Sequence, residues 1–377
     1  MATASDIDRP AAGEFRPKPD QPPPALSVGP LAWVKRNLFG SRFDSLLTLA
    51  CLAALYYLVP AVWRWAVAEA TFVGDSREAC APNPGACWVF VNVRIEQFIY
   101  GFYPQAERWR ANVVVLLGLG SLTYALSEAM PWRKWVALFL ILPYPVLAYI
   151  LLLGGMFGLP PVETRLWGGL LLTLIIASVG ISASLPLGIA LALGRRSKMP
   201  VIQLLSIGFI EFVRAVPLIT VLFMASVVLP LFLPPGSNFD QLLRALIGVS
   251  LFAAAYMAEV VRGGLQAVPK GQTEAAAALG LGYWSTMRLI VLPQALRYVI
   301  PAIVSNFIGL FKDTTLVLII GLSDLLQMVK LATTDSKWIG LATEGYAFAG
   351  AVFFVFCFGM SRYSLYLERK LGTGYRR

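Results

Sequence analysis

Residues Glu274 to Pro293 read EAAAALGLGYWSTMRLIVLP. The run opens Glu-Ala-Ala, reaches Gly280 after three intervening residues, and after nine more ends in Ile290-Val291-Leu292-Pro293. Gln272 to Leu279 is a strong helix former, because alanine has the highest helix propensity and almost no bulk. An alanine-faced helix can lie deep in a groove. Gly280 and Gly282 then break it, since glycine accepts the positive φ of a helix end. A second short helix is predicted over Tyr283 to Ile290, stopped by Pro293, whose ring and missing amide oppose continuation. Apolar segments flank the whole unit, which makes it a structured loop lying along a membrane surface.

The chain around it is built for lipid. Of its 377 residues 58% are hydrophobic and 14% charged, with mean hydropathy +0.69; these values exclude an ordinary soluble domain. The formal charge of +10 sits beside apolar runs, where it orients spans and does not imply nucleic acid. With no histidine and only Cys51, Cys80, Cys87 and Cys357, no zinc site is expected. A GxxxxGK[ST] phosphate loop is also missing, so any ATP and its Mg would have to be bound by another chain.

A helix crossing roughly 30 Å of hydrocarbon needs about 20 apolar residues. Such runs occur near 44–63, 111–130, 135–157, 166–194, 201–233, 242–261, 295–318 and 344–363. The fold class is therefore an all-α integral membrane protein with about eight transmembrane helices. The order predicts four regions: a Pro-rich tail with an interfacial segment (1–42), three spans with an outer loop 64–110 (43–165), five spans with the loop 262–293 (166–371), and a short basic tail (372–377). With both termini inside, the inner segments hold 16 Lys/Arg against nine outside; the positive-inside rule supports that orientation. In the outer loop, Cys80 and Cys87 bracket the turn-former APNPGA; they read as a disulfide in an oxidising compartment, or as two free thiols.

Charges inside spans are costly, by about 2.5–3.5 kcal/mol each at mid-membrane, and so mark function. Glu211 and Arg214, in EFVRAVP, share a helix face before a kink at Pro217. They read either as an internal ion pair or as pathway contacts for a zwitterion. Lys312-Asp313-Thr314-Thr315 interrupts the seventh span. Glu259 and Arg262 are expected to be interfacial anchors, Arg288 and Arg297 snorkelling cations. Trp33, Trp132, Trp135, Trp167, Tyr283 and Trp284 are expected in the aromatic belt.

The spaced Glu-Ala-Ala loop resembles the EAA motif of ABC-importer permeases. The run GGLQAVPKGQTEAAAALG with LPQALRY and FKDTTLVLIIGLSDL is similar to the polar-amino-acid branch. Together with three extra N-terminal spans, the layout is most like the M-type permease of general L-amino-acid importers (Aap/Bzt type). The resemblance covers roughly Leu166 to Leu371 by motif. It implies a type I importer core in a bacterial inner membrane, with Gly271, Glu274, Ala275, Ala276, Gly280, Leu292 and Pro293 forming a coupling element for an ATPase dimer. It further implies a paralogous permease subunit, packed through small residues of the fourth span (Gly168, Gly169, Gly180, Ser182, Ser184 and Gly188), and a periplasmic amino-acid-binding protein. Glu211, Arg214, Lys312, Asp313, Thr314 and Thr315 would lie near the pathway centre, Lys312 facing an α-carboxylate, Asp313 an α-ammonium, and both threonine hydroxyls adding hydrogen bonds. The chain would not be an enzyme and would hold no cofactor or metal. An ion-coupled secondary amino-acid transporter is the alternative; it leaves the alanine-faced loop without purpose, and no internal repeat is visible.

Overall fold

The computed structural model describes residues 29–127, 129–232, 234 and 239–372. The tail before residue 29 and the basic end after residue 372 lie outside them. The chain divides between Ala70 and Thr71 into two units.

In the first unit, α1 (Pro30–Leu38) carries Lys35 and Arg36 in its last turn and exposes Leu31 and Trp33, an amphipathic pattern. Helix α2 (Arg42–Trp63) is capped by Ser41, whose hydroxyl accepts the Asp44 amide at 3.0 Å, and runs on through a π-helical turn to Ala68. None of its residues is buried. A helix apolar all round, with hydropathy and length enough to cross a membrane, reads as a span.

The second unit starts with a segment closed by the Cys80–Cys87 disulfide, Cα atoms 5.6 Å apart. Helix α3 (Val89–Tyr100) follows, then α4 (Arg108–Leu126), α5 (Arg133–Ile141) and α6 (Pro143–Leu153). The remaining helices are α7 (Gly169–Arg195), α8 (Pro200–Ala215), α9 (Leu218–Phe223), α10 (Gln241–Ala267), α11 (Lys270–Ala278), α12 (Tyr283–Thr286), α13 (Leu292–Tyr298), α14 (Ile300–Asp313), α15 (Leu325–Thr333) and α16 (Ala342–Gly372). Among the described residues six helices are long and apolar enough to span, or up to eight if α5–α6 (bent 48°) and Pro200–Phe232 (bent 105°) each count as one. The sharper bend lies at Val216, extended at φ −104° and ψ 134° as a residue before proline prefers.

Three clusters form the core. The first joins α4, α6, α7, α9 and α10 through Leu152, Leu172, Ile176, Leu222 and Ala245. In the second, Phe90 and Phe98 of α3 pack with Met328 and Val329 of α15 and with Trp338. The third binds α7 and α10 to the loop after α11, through Ala192, Ala258, Val261, Val291 and Ala295.

Several expectations change. Pro293 does not stop the second loop helix: a π-helical turn, Met287–Val291, precedes α13, and the proline takes that helix's first turn, where no amide is needed. Trp167 is no belt residue but 3% exposed, in the first cluster; its backbone bridges to Gly101, which approaches Gly168 so closely that a Cβ on Gly101 would lie 2.4 Å from the Gly168 Cα. Gly180 and Gly188 of α7 pack within this chain, whereas Ser182 is exposed. A Cβ on Gly188 would lie 2.7 Å from Met257 of α10, and one on Gly180 3.0 Å from Leu310 of α14.

Candidate functional site

The Glu-Ala-Ala run forms α11, a free-standing helix at one end of the core. Its end is a Schellman motif: Gly280, at φ 74°, donates to the Ala277 carbonyl (2.9 Å) and Leu281 to that of Ala276 (3.0 Å). Ala276 is buried at 1%, turned toward its own chain, whereas Glu274, Ala275 and Gly271 are exposed. Leu279 (78% exposed) and Trp284 (72%) stand out beside them with Tyr283. An apolar, small-faced surface is thus presented outward and held from behind. Gln294 donates to Gln272 (3.1 Å), and Met287, Val291 and Ala295 enter the third cluster. Leu292 is half-buried and Pro293 exposed in the same connection.

A charge network lies between the same ends of α7, α8 and α10. Arg195 Nη1 donates to Glu211 at 2.8 Å and to Glu259 at 2.9 Å. Arg262 reaches Glu259 Oε2 through Nη2 (2.8 Å) and Nε (3.0 Å). Arg214 stands 3.6 Å from Glu259 and 4.0 Å from Glu211, with its guanidinium 5.7 Å from the centre of the Tyr256 ring. Glu259 and Arg262 are therefore not separate interfacial anchors. The Glu259 side chain, 15% exposed, is the hub for three arginines from three helices. Arg195 escaped the sequence reading because it closes α7 and counted only as a loop cation.

Tyr256 also lines a cavity of about 250 Å³ among α7, α10 and α14, with Ser184, Ser305, Asn306 and Asp313. Its one charged wall is the Asp313 carboxylate; such a cavity suits a cationic group flanked by hydroxyl and amide partners. Lys312 is exposed and does not line it. Thr314, fully buried, donates to the Phe311 carbonyl (2.8 Å) and Thr315 to that of Lys312 (2.9 Å). Both protons thus tighten α14 into the 3₁₀ run Thr314–Ile320 and are not free for a ligand. The structure joins Glu211 and Arg214, brings Tyr256 to both network and cavity, and separates Lys312 from Asp313. Arg297, expected to snorkel, donates to the Leu371 carbonyl of α16.

At the opposite end, Asp324 is wholly buried and caps α15 by accepting the Leu326 (3.2 Å) and Gln327 (3.0 Å) amides. Burial pushes its carboxyl up to about 6 against the pull of those amides.

Comparison with known proteins fits this geometry. Residues 184–373 match the family model of the binding-protein-dependent transport system inner membrane component. The inner membrane amino-acid ABC transporter permease protein YhdY of Escherichia coli is 54% identical, over 94% of this chain and 97% of its own length. The glutamate/glutamine/aspartate/asparagine transport system permease protein BztC of Rhodobacter capsulatus is 42% identical over the same shares. A crystal structure of an amino acid ABC transporter with histidines aligns with 54% of this chain and 92% of its own at 29% identity and a TM-score of 0.48. With a spaced Glu-Ala-Ala helix standing free on an apolar core, and relatives similar along nearly their full length, this chain belongs to the inner-membrane permease components of binding-protein-dependent ABC transporters.

Proposed function

We propose that the chain is one of two permease subunits of an ATP-driven amino-acid uptake system. The presented face of α11 carries this reading: Glu274, Ala275, Leu279 and Trp284 are exposed, while the loop behind them is packed into the core that surrounds the cavity. A push on that face from an ATPase subunit would be transmitted through Val291 and Ala295 to α10 and α14. In this reading ATP and Mg are bound by an ATPase dimer, and a soluble amino-acid-binding protein delivers cargo at the α15 end. The α11 end and both termini face the cytoplasm. The relatives named for amino acids support the substrate class. Asp313 would meet the α-ammonium in the cavity, and the Glu259 network would hold α7, α8 and α10 together where the loop attaches. ATP and the loaded binding protein drive the cycle by binding the outward-open state better, which shifts the population toward it.

The test is co-purification through a tag on this chain, for the native protein and for Glu274→Arg. The native chain is expected to bring down an ATPase subunit whose hydrolysis rises when the loaded binding protein is added. The variant, with a cation on the presented face, is expected to lose the ATPase or the stimulation. An ATPase bound and stimulated equally by both would refute the placement of the coupling face.

A further inference from the structure

Arg244 lies in the first turns of α10, inside a candidate span, and forms no ion pair among the described residues. Among the described residues one side-chain hydrogen bond holds it: Nη1 donates to the Ser226 carbonyl at 2.5 Å. Its Nε is buried with no acceptor, and so is the hydroxyl of Ser226, a residue 9% exposed. Buried donors without partners are rare in folded proteins and mark groups held for something else. An arginine in a span without a counter-carboxylate is rarer, and intramembrane charges cluster along substrate paths.

The surroundings set this pair beside elements that run toward the cavity. Ser226 belongs to the π-helical turn Met224–Val228 that continues α9 beyond the 105° bend. One turn along α10 from Arg244, the space above Gly248 is bounded by Ala225 and Val221 of the same arm. Gln241 donates to the carbonyl of Ile320, which ends the 3₁₀ run beginning beside Asp313. Arg244 and Ser226 thus stand near the Ile320 end of the 3₁₀ run whose other end abuts Asp313.

We propose that Arg244 and Ser226 form a carboxylate-binding station at the outer mouth of the pathway, holding the cargo's carboxylate before its ammonium group reaches Asp313. The planar guanidinium fork matches a carboxylate, and the serine hydroxyl supplies a further donor to its remaining lone pairs. Water would satisfy the donors but leave the cation unpaired. A lipid phosphate is the other oxyanion available near a membrane surface. The inference rests on the importer reading above.

The experiment is equilibrium binding of an equimolar mixture of radiolabelled L-amino acids to the assembled complex in phosphatidylcholine nanodiscs, without soluble binding protein. Native chain, Arg244→Gln, Arg244→Lys and Ser226→Ala are compared. Arg244→Gln should weaken binding by about tenfold or more, as loss of a charge-assisted pair implies. Ser226→Ala should weaken it by a smaller factor, with Arg244→Lys between the two. Amino-acid α-carboxamides should fail to displace the label, and phosphatidylglycerol in the discs should leave binding unchanged. No binding by the native complex, equal binding by native and variants, equal displacement by carboxamides, or loss of binding in phosphatidylglycerol discs would each overturn the station. If Arg244→Gln does not assemble, the other two variants decide. Failure of any ATPase to co-purify with the native chain sinks the importer reading instead; an assembled, stimulated complex with unaltered variants sinks only the station.

Discussion

Glu259→Gln tests whether the charge network binds three helices or merely accompanies their packing. The carboxylate takes one hydrogen bond from Arg195 and two from Arg262, and a longer ion contact from Arg214. Hydrogen bonds to charged groups are worth about 1.5–3 kcal/mol each, and removing one member of a buried pair costs about 3–5 kcal/mol. Two facts reduce that figure here. The glutamine oxygen still accepts one bond, and the arginine side chains keep between 24% and 35% exposure, so solvent screens part of the loss. The expected destabilisation is about 2–3 kcal/mol. Reversible denaturation of the complex in mixed micelles, followed by tryptophan fluorescence, would measure it. A cycle with Arg195→Gln should show a coupling of about 1–2 kcal/mol, because without the Glu259 carboxylate Arg195 keeps only Glu211 as an ionic partner and its own removal costs less. Additive effects, or a single-variant loss below about 0.5 kcal/mol, would refute the hub.

Two further predictions rest on separate contacts. Gly188→Ala puts a methyl 2.7 Å from Met257 and 3.1 Å from the Ala258 amide and should destabilise by about 1–3 kcal/mol, whereas Gly263→Ala meets nothing within 4 Å and should stabilise slightly; denaturation midpoints moving alike would contradict this. Asp324 has a folded-state value of about 6, above the unfolded carboxyl near ~3.9. Its favourable contribution is therefore complete below the unfolded value and is lost as pH rises through the folded one. Asp324→Asn, which keeps an oxygen for the α15 cap, should gain on the native chain by about 2 kcal/mol between pH ~4 and ~7; a stability difference independent of pH would refute the assignment.

Much of the architecture was legible because it rests on local signals. Long apolar runs located the spans, Pro217 marked the bend, and Gly280 marked the turn after α11. Pro293 does not act as the stop its ring predicts because a π-helical turn ahead of it lets the chain remain helical, and no residue type announces such a turn. The site was legible in part. Glu211, Arg214 and Asp313 stood out as charges in spans, but Arg195, which ties Glu211 to Glu259, lies 16 residues from the one and 64 from the other. Sequence spacing sees helix neighbours at three and four residues, not contacts between helices. Lys312 and Asp313, adjacent in sequence, point different ways because successive helical residues are turned about 100° from each other. Arg244 carried a readable signal, a cation inside an apolar run, that the more conspicuous neighbouring motifs obscured.

The most direct measurement of the central claim is uptake into proteoliposomes containing the complex purified through this chain, with its amino-acid-binding protein outside. Accumulation of labelled amino acid that requires both enclosed ATP and the loaded binding protein, and is indifferent to proton or sodium gradients, is the predicted result. Accumulation that follows an ion gradient in the absence of ATP would contradict the account.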